Sequence, residues 1–326
     1  MNILLIMPRH PNAMAELILH GLRTTFGDTV VDIPKFERAY DKNHRGSHYG
    51  LSGILPDIPI DRTEIKRKIA DRFFDLIIYT CVYHALDYLD TVVRYYKPYE
   101  VAFNDGEDNP RIGEESLMSG AKDVYNPLKN YGVYFKRESN RFVEGIHPLS
   151  LAYPEEYFYL GPVVKTQDFG TTIPGNMETY IFTDAQSYWA DYQKSYFGLT
   201  WKKAGWDCYR NLEIIANKCV PYWLGKPEMD ECPPNTMWNF PWDLMREAVQ
   251  LPGVNIIVTD HVALPDKKVA IHLIDFNQFD LDAYTDLQER FFEYGLKHLT
   301  TKVMVQRLLD IMESKRRKYV FSCNNQ

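Results

Sequence analysis

The chain has 326 residues, 45% of them apolar, enough to build two ordinary α/β domains. A net charge of −7 and a pI near 5.8 exclude a uniformly basic, nonspecific nucleic-acid binder, although a local basic cleft is compatible with them. Five cysteines without C-x-x-C spacing exclude a zinc knuckle and point to reduced thiols in a cytoplasmic setting.

Asn2 to Met7 reads as a strand, Ala13 to Phe26 as a helix with apolar spacing, and Thr29 to Ile33 as a second strand. The first loop, Pro8 to Asn12, lacks G-x-G-x-x-G, which argues against a dinucleotide-binding dehydrogenase. The N-terminal apolar run is too short for a signal peptide. No window approaches a transmembrane span, so no integral membrane insertion is expected. Phe36 to Pro59 is irregular and reads as a surface loop. Arg62 to Phe74 is a charged amphipathic helix, Asp75 to Thr80 a buried strand, and Leu86 to Tyr96 another helix. Strands at Tyr99 to Asn104 and Tyr131 to Phe135 follow, then a proline-rich stretch from Leu149 to Asp168 that suits a domain boundary. Asp286 to Lys318 is a long helical stretch with breaks near Gly295 and Leu299 to Thr301. It ends in Lys315-Arg316-Arg317-Lys318. That run suits a solvated helix terminus, with a membrane-surface or nucleic-acid contact as the other reading. Aromatic content of 14%, with 23 tyrosines, fits a sugar-binding cleft or a tyrosine-rich core.

The most informative stretch is Tyr196 to Trp223. An apolar-aromatic strand is followed by a basic loop, Lys202-Lys203-Ala204-Gly205. A helix then carries Arg210 and Glu213 three residues apart, on one face. A second apolar run enters after Asn217-Lys218. A loop leaving a strand's C-terminal end and feeding a helix N-terminus is a natural phosphate seat. Arg210 can clamp phosphate oxygens, and Glu213 can accept two hydrogen bonds from a ribose diol. The pair points to a nucleotide. An ordinary amphipathic helix with two solvated charges is the competing reading.

Those residues carry a resemblance. Glu213-Ile214-Ile215-Ala216-Asn217-Lys218-Cys219-Val220-Pro221 resembles the glutamate-bearing helix and strand of nucleotide-sugar glycosyltransferases of the two-Rossmann-domain, GT-B type. In that superfamily the glutamate of an E-A-M-A-x-G-x-P-V pattern holds the donor's ribose. Asn217-Lys218 replaces a small residue and glycine, and Gly205 stands where the retaining branch carries a second glutamate, with Asp207 nearby. The Arg210–Glu213 spacing is also similar to the donor site of phage DNA β-glucosyltransferases.

Asp105-Gly106-Glu107-Asp108 ends a predicted parallel strand, the sheet edge where open α/β folds bind ligands. It fits an acceptor-side base, a metal-binding D-x-D, or a solvated acidic turn. The order D-L-I-I-Y, helix, V-A-F-N-D is again similar to the phage enzyme, whose catalytic aspartate Asp105 matches. Lys136 and Arg137 end a strand on the same edge, and His10 lies in the first loop; these and Glu107 are acceptor or cleft candidates.

The resemblance implies an α/β chain with two Rossmann-like domains facing across a cleft. The expected division is an acceptor-side domain at 1–160, a nucleotide-sugar-binding domain at 161–285, and helices at 286–326 crossing back to the first. It implies transfer of a sugar from a nucleotide diphosphate, on superfamily frequency a UDP-sugar, by inverting displacement. Asp105 would be the base, Lys202, Lys203 and Arg210 would bind the diphosphate, and Glu213 the ribose. No metal or other cofactor is expected. The acceptor is a glycan or small-molecule hydroxyl, or a hydroxymethylated base in phage DNA. A non-catalytic nucleotide-binding or regulatory protein on a degenerate GT-B fold is the alternative.

Overall fold

The computed structural model describes residues 1–42, 51–117, 120, 122–224, 229–257 and 271–324. Part of the loop predicted at 36–59 therefore lies outside the described residues. The chain divides into two compact units, one of residues 1–154, 233–238 and 301–326, the other of residues 155–232 and 239–300.

In the first unit, β1 (Ile3–Ile6), β2 (Val30–Ile33), β3 (Leu76–Tyr79), β4 (Val101–Asp105), β5 (Val133–Lys136) and β6 (Ile146–Pro148) form one sheet ordered β2-β1-β3-β4-β5-β6. Every pairing is parallel. A parallel sheet covered on both faces needs continuous apolar strands, and ILLI and LIIY are fully buried. Tyr79 stacks on Phe103 across β3 and β4 within the core. Helix α1 (Ala13–Phe26) begins where Asn12 caps Ala15 N at 3.0 Å and stops at Gly27, whose φ is 63°. Shorter helices follow: α2 (Glu37–Tyr40), α3 (Ile65–Ala70), α4 (Leu89–Tyr95), α5 (Glu114–Leu117) and α6 (Tyr125–Leu128).

In the second unit, β7 (Gln167–Phe169), β8 (Ser195–Thr200) and β9 (Val220–Trp223) make a parallel sheet ordered β7-β8-β9. The helices are α7 (Ala185–Lys194), α8 (Tyr209–Ala216), α9 (Trp242–Ala248) and α10 (Leu281–His298), and β10 (Val254–Ile257) pairs antiparallel with β11 (Ile271–Ile274). Gly198 lets α8 lie close on β8: a Cβ there would meet Ile214 at 2.7 Å. Tyr196, Phe197, Phe279 and Tyr284 interlock edge to face, so part of the aromatic content is core.

Of the two breaks expected, the one at Leu299 to Thr301 is real, whereas the helix runs unbroken through Gly295. Helix α10 ends at His298, and the last helix, α11 (Thr301–Asn324), belongs to the first unit. It packs on α1 at Gly21, where a Cβ would stand 2.5 Å from Thr301 O. His20 Nδ1 lies 2.8 Å from Thr301 Oγ1 in the same contact.

Candidate functional site

The strand–loop–helix–strand unit read from the sequence is β8, residues 201–208, α8 and β9. Thr200 Oγ1 donates to Asn211 Oδ1 at 2.5 Å, tying the strand end to the first turn of the helix. The N-cap, Cys208, makes no side-chain cap, so the first-turn N–H groups of α8 keep their dipole at the end of the loop. Lys202 is half-buried, its Nζ 5.0 Å from the Trp206 ring centroid; Lys203 is exposed. Trp206 stacks on Trp223, which meets Trp242 edge to face.

Glu213 is buried, one helical turn beyond Arg210. Its Oε2 accepts from Tyr188 Oη at 3.3 Å, and that hydroxyl lies 2.9 Å from Tyr192 Oη. Burial pushes the Glu213 carboxyl up to about 7, with the Arg210 charge and hydrogen bonding from Tyr188 opposing the rise. Arg210 donates from Nη2 to Tyr180 Oη at 2.9 Å. Its Nε and Nη1 are buried without a hydrogen-bond partner among the described residues. A half-buried guanidinium with two unpaired nitrogens beside a carboxyl of raised pKa is an unusual concentration of unsatisfied polarity.

In the first unit, Asp105 ends β4 and faces Lys136 of β5 in parallel register. Asp105 is 2% exposed and Lys136 1%, and Lys136 Nζ lies 2.7 Å from Asp105 Oδ2. Tyr134 Oη donates to the same oxygen at 3.1 Å, and Glu107 N donates to Oδ1 at 3.3 Å. Arg137 pairs with Asp108. Glu107 is half-buried, and it contributes, after burial itself, to raising the Cys81 thiol to about 11. His10 and His84 are both exposed, and their rings meet edge to face at 4.5 Å. The C-terminal edge of this sheet thus gathers His10, His84, Cys81, Asp105, Glu107 and Lys136.

No protein-family model matches the chain, and no curated protein matches it in sequence. Among solved structures, an alpha-glucosyltransferase in complex with UDP and a 13-mer DNA containing a central A:G mismatch aligns with it at a TM-score of 0.50. The alignment covers 95% of this chain and 98% of that one at 11% identity. The fold is that of the GT-B glycosyltransferases.

On that fold, the structure brings Arg210 and Glu213 together with Tyr180, Tyr188, Trp189 and Tyr192. These aromatic partners were not read from the sequence. Three of them come from α7, whose one clear signal is Asp184, capping Ser187 N at 2.8 Å. Lys202 and Lys203 sit in the loop before α8 without converging on Arg210's hydrogen bonds. Lys136 and Arg137 spend their charges on Asp105 and Asp108. Among the described residues, no group of three or more His, Cys, Asp or Glu could hold a metal ion, and no helix is long and apolar enough to cross a membrane.

Proposed function

We propose that the chain is a glycosyltransferase that moves a sugar from a nucleotide diphosphate, with a UDP-sugar as first choice, to an acceptor hydroxyl. The observation that carries this reading is the half-buried Arg210, two of its nitrogens buried without a partner among the described residues, beside the buried Glu213, on a GT-B fold in the helix that follows a basic loop. Glu213 would accept the two ribose hydroxyls. Arg210, Lys202, Lys203 and the first turn of α8 would hold the diphosphate. Charge accumulates on that group as the sugar leaves, and fixed cations and N–H dipoles stabilise it without reorganising. A thermal-shift panel of nucleotides and nucleotide sugars tests the reading, because a bound ligand raises apparent stability. Uridine nucleotides are expected to give the largest shift, and a panel with no shift overturns the proposal.

The acceptor we favour is a hydroxymethylated base in DNA, since a similar fold has been solved with UDP and DNA together. A glycan or small-molecule hydroxyl competes. The base is proposed to come from the turn at Asp105 and Glu107. Asp105 has the sequence position, and Glu107 has the accessibility. Asp105→Asn and Glu107→Gln separate the two roles: loss of the base lowers kcat by roughly 10²–10⁴ with donor binding intact. A single displacement from an α-linked donor gives a β-linked product, whereas an α-product, as made by an α-glucosyltransferase, means retention. NMR of the product's anomeric proton decides between them.

The burial of Asp105 under Lys136 and Tyr134 favours a second reading, a nucleotide-binding protein without transferase activity. Hydrolysis of the donor in the absence of acceptor counts against it.

A further inference from the structure

We propose that the face of α11 carrying Arg307, Lys315 and Lys318, with His147 of β6 beside it, is a track for the phosphodiester backbone of duplex DNA. The proposal rests on the DNA-acceptor reading above. The spacing 307, 311, 315, 318 puts these residues in one row along the helix. Eleven residues of helix at 1.5 Å each make the row about 16 Å long, enough to meet successive phosphates.

The first cation is fixed. Arg307 Nε donates to Pro148 O at 3.1 Å, and its guanidinium lies 3.6 Å from the Trp238 ring centroid. Pro148 pairs in register with Lys136, so the row starts at the sheet edge that carries Asp105. All three cations act electrostatically on His147. Burial first, then Lys315, Arg307 and Lys318, push its imidazole down to about 4. His147 Nε2 is buried and has no hydrogen-bond partner among the described residues.

The acidic residues of the same helix are turned elsewhere. Asp310 and Glu313 lie along a different row, with Asp310 accepting from Gln306 at 2.8 Å and Glu313 from Arg317 at 2.9 Å. Among the described residues neither Lys315 nor Lys318 has an ion-pair partner, and a local concentration of positive charge on a chain of net charge −7 suits a polyanion. Tyr319, its ring 5.0 Å from that of Tyr99, and the exposed Phe321 continue past the basic run, where the sugars of a duplex backbone can pack.

The experiment measures anisotropy of a labelled, unmodified 30-base-pair duplex with the full chain over a range of salt. Lys315→Glu combined with Lys318→Glu is expected to weaken binding at least tenfold. Lys315→Gln with Lys318→Gln should lower the slope of log K against log salt by about 2, the contribution of two phosphate contacts. Lys66→Glu, an exposed charge on α3, should leave the duplex affinity within twofold. Thermal melts confirm that the glutamine pair folds as wild type does. Unchanged duplex affinity in both double variants, or an equal loss in Lys66→Glu, overturns the proposal. So does binding to phosphatidylserine-containing vesicles with no binding to the duplex. UDP calorimetry separates this idea from the one it rests on: UDP binding without duplex binding overturns the track alone. Duplex binding that the variants abolish, without UDP binding, overturns the transferase reading alone.

Discussion

The two units each bury a carboxylate at a place the sequence marks as functional, and they treat it differently. Asp105 has an ammonium at 2.7 Å, a phenol at 3.1 Å and a backbone N–H at 3.3 Å. Glu213 has one phenol at 3.3 Å, and the nearby Arg210 spends its Nη2 on Tyr180 instead. The first carboxylate is satisfied by the fold. The second is under-satisfied, and its raised pKa records the burial that nothing in α8 fully offsets. A satisfied buried charge contributes to architecture; an under-satisfied one beside a half-buried guanidinium is the better marker of a binding site.

The sharpest way to break this contrast is at Lys136. Lys136→Met strands Asp105 without its counter-ion, and removing one partner of a buried pair destabilises by roughly 3–5 kcal/mol. Adding Asp105→Asn should recover much of the loss in a urea titration. If Lys136→Met leaves stability unchanged, Asp105 is not held as described. Next in size, Arg210→Ala should lower both donor affinity and kcat, because contacts to the departing diphosphate strengthen in the transition state. Arg210→Lys should rescue poorly, lacking the bidentate fork; full activity in that variant would show that no fork is used. Glu213→Ala should weaken UDP binding by roughly 1.5–3 kcal/mol in calorimetry, the worth of a charged hydrogen-bond acceptor.

A finer distinction comes from pH. Hydroxyl donors favour the ionised form of Glu213, so UDP affinity should climb as pH rises through about 7 and then level off. Fold stability should run the other way. The folded-state value lies above the unfolded one, so the stabilising contribution is present below pH 4.5 and is lost by about pH 7. Glu213→Gln should remove both dependences; a wild-type profile in that variant would assign the titration to another group. The smallest expected effect is from EDTA. Transfer should survive it apart from changes in product release, and a complete loss restored by Mn²⁺ would make the Asp105–Glu107 turn a metal site.

How much of this could be read from the residues follows the same division. The opening β1–α1–β2 and the β8–α8–β9 unit are legible because aliphatic runs and a 3.6-residue period survive in them. The α8 stop at Asn217 is legible too, and the structure adds a bond from Asn217 Nδ2 to Glu213 O at 2.9 Å. Helix α7 is hidden because its apolar face is aromatic, with Tyr188, Trp189 and Tyr192 in place of leucines. Strand β6 is hidden by Pro148, which a sheet tolerates only at an edge, and β6 is the edge. The Asp105–Lys136 pair is invisible because the two are 31 residues apart, and no local pattern gives the register between parallel strands. Sequence identifies which residues can do chemistry; strand register decides which of them are already engaged.

The contact at Gly21 has a consequence for how the chain is made. Residues 1–154 emerge from the ribosome long before Thr301, yet α1 reserves its glycine face for the last helix. Until residues 301–324 have been made, the nascent first unit carries α1 with Gly21 uncovered. Native packing of that unit therefore waits on residues 301–324, and a chain truncated anywhere before position 301 leaves its first unit without the helix that covers Gly21.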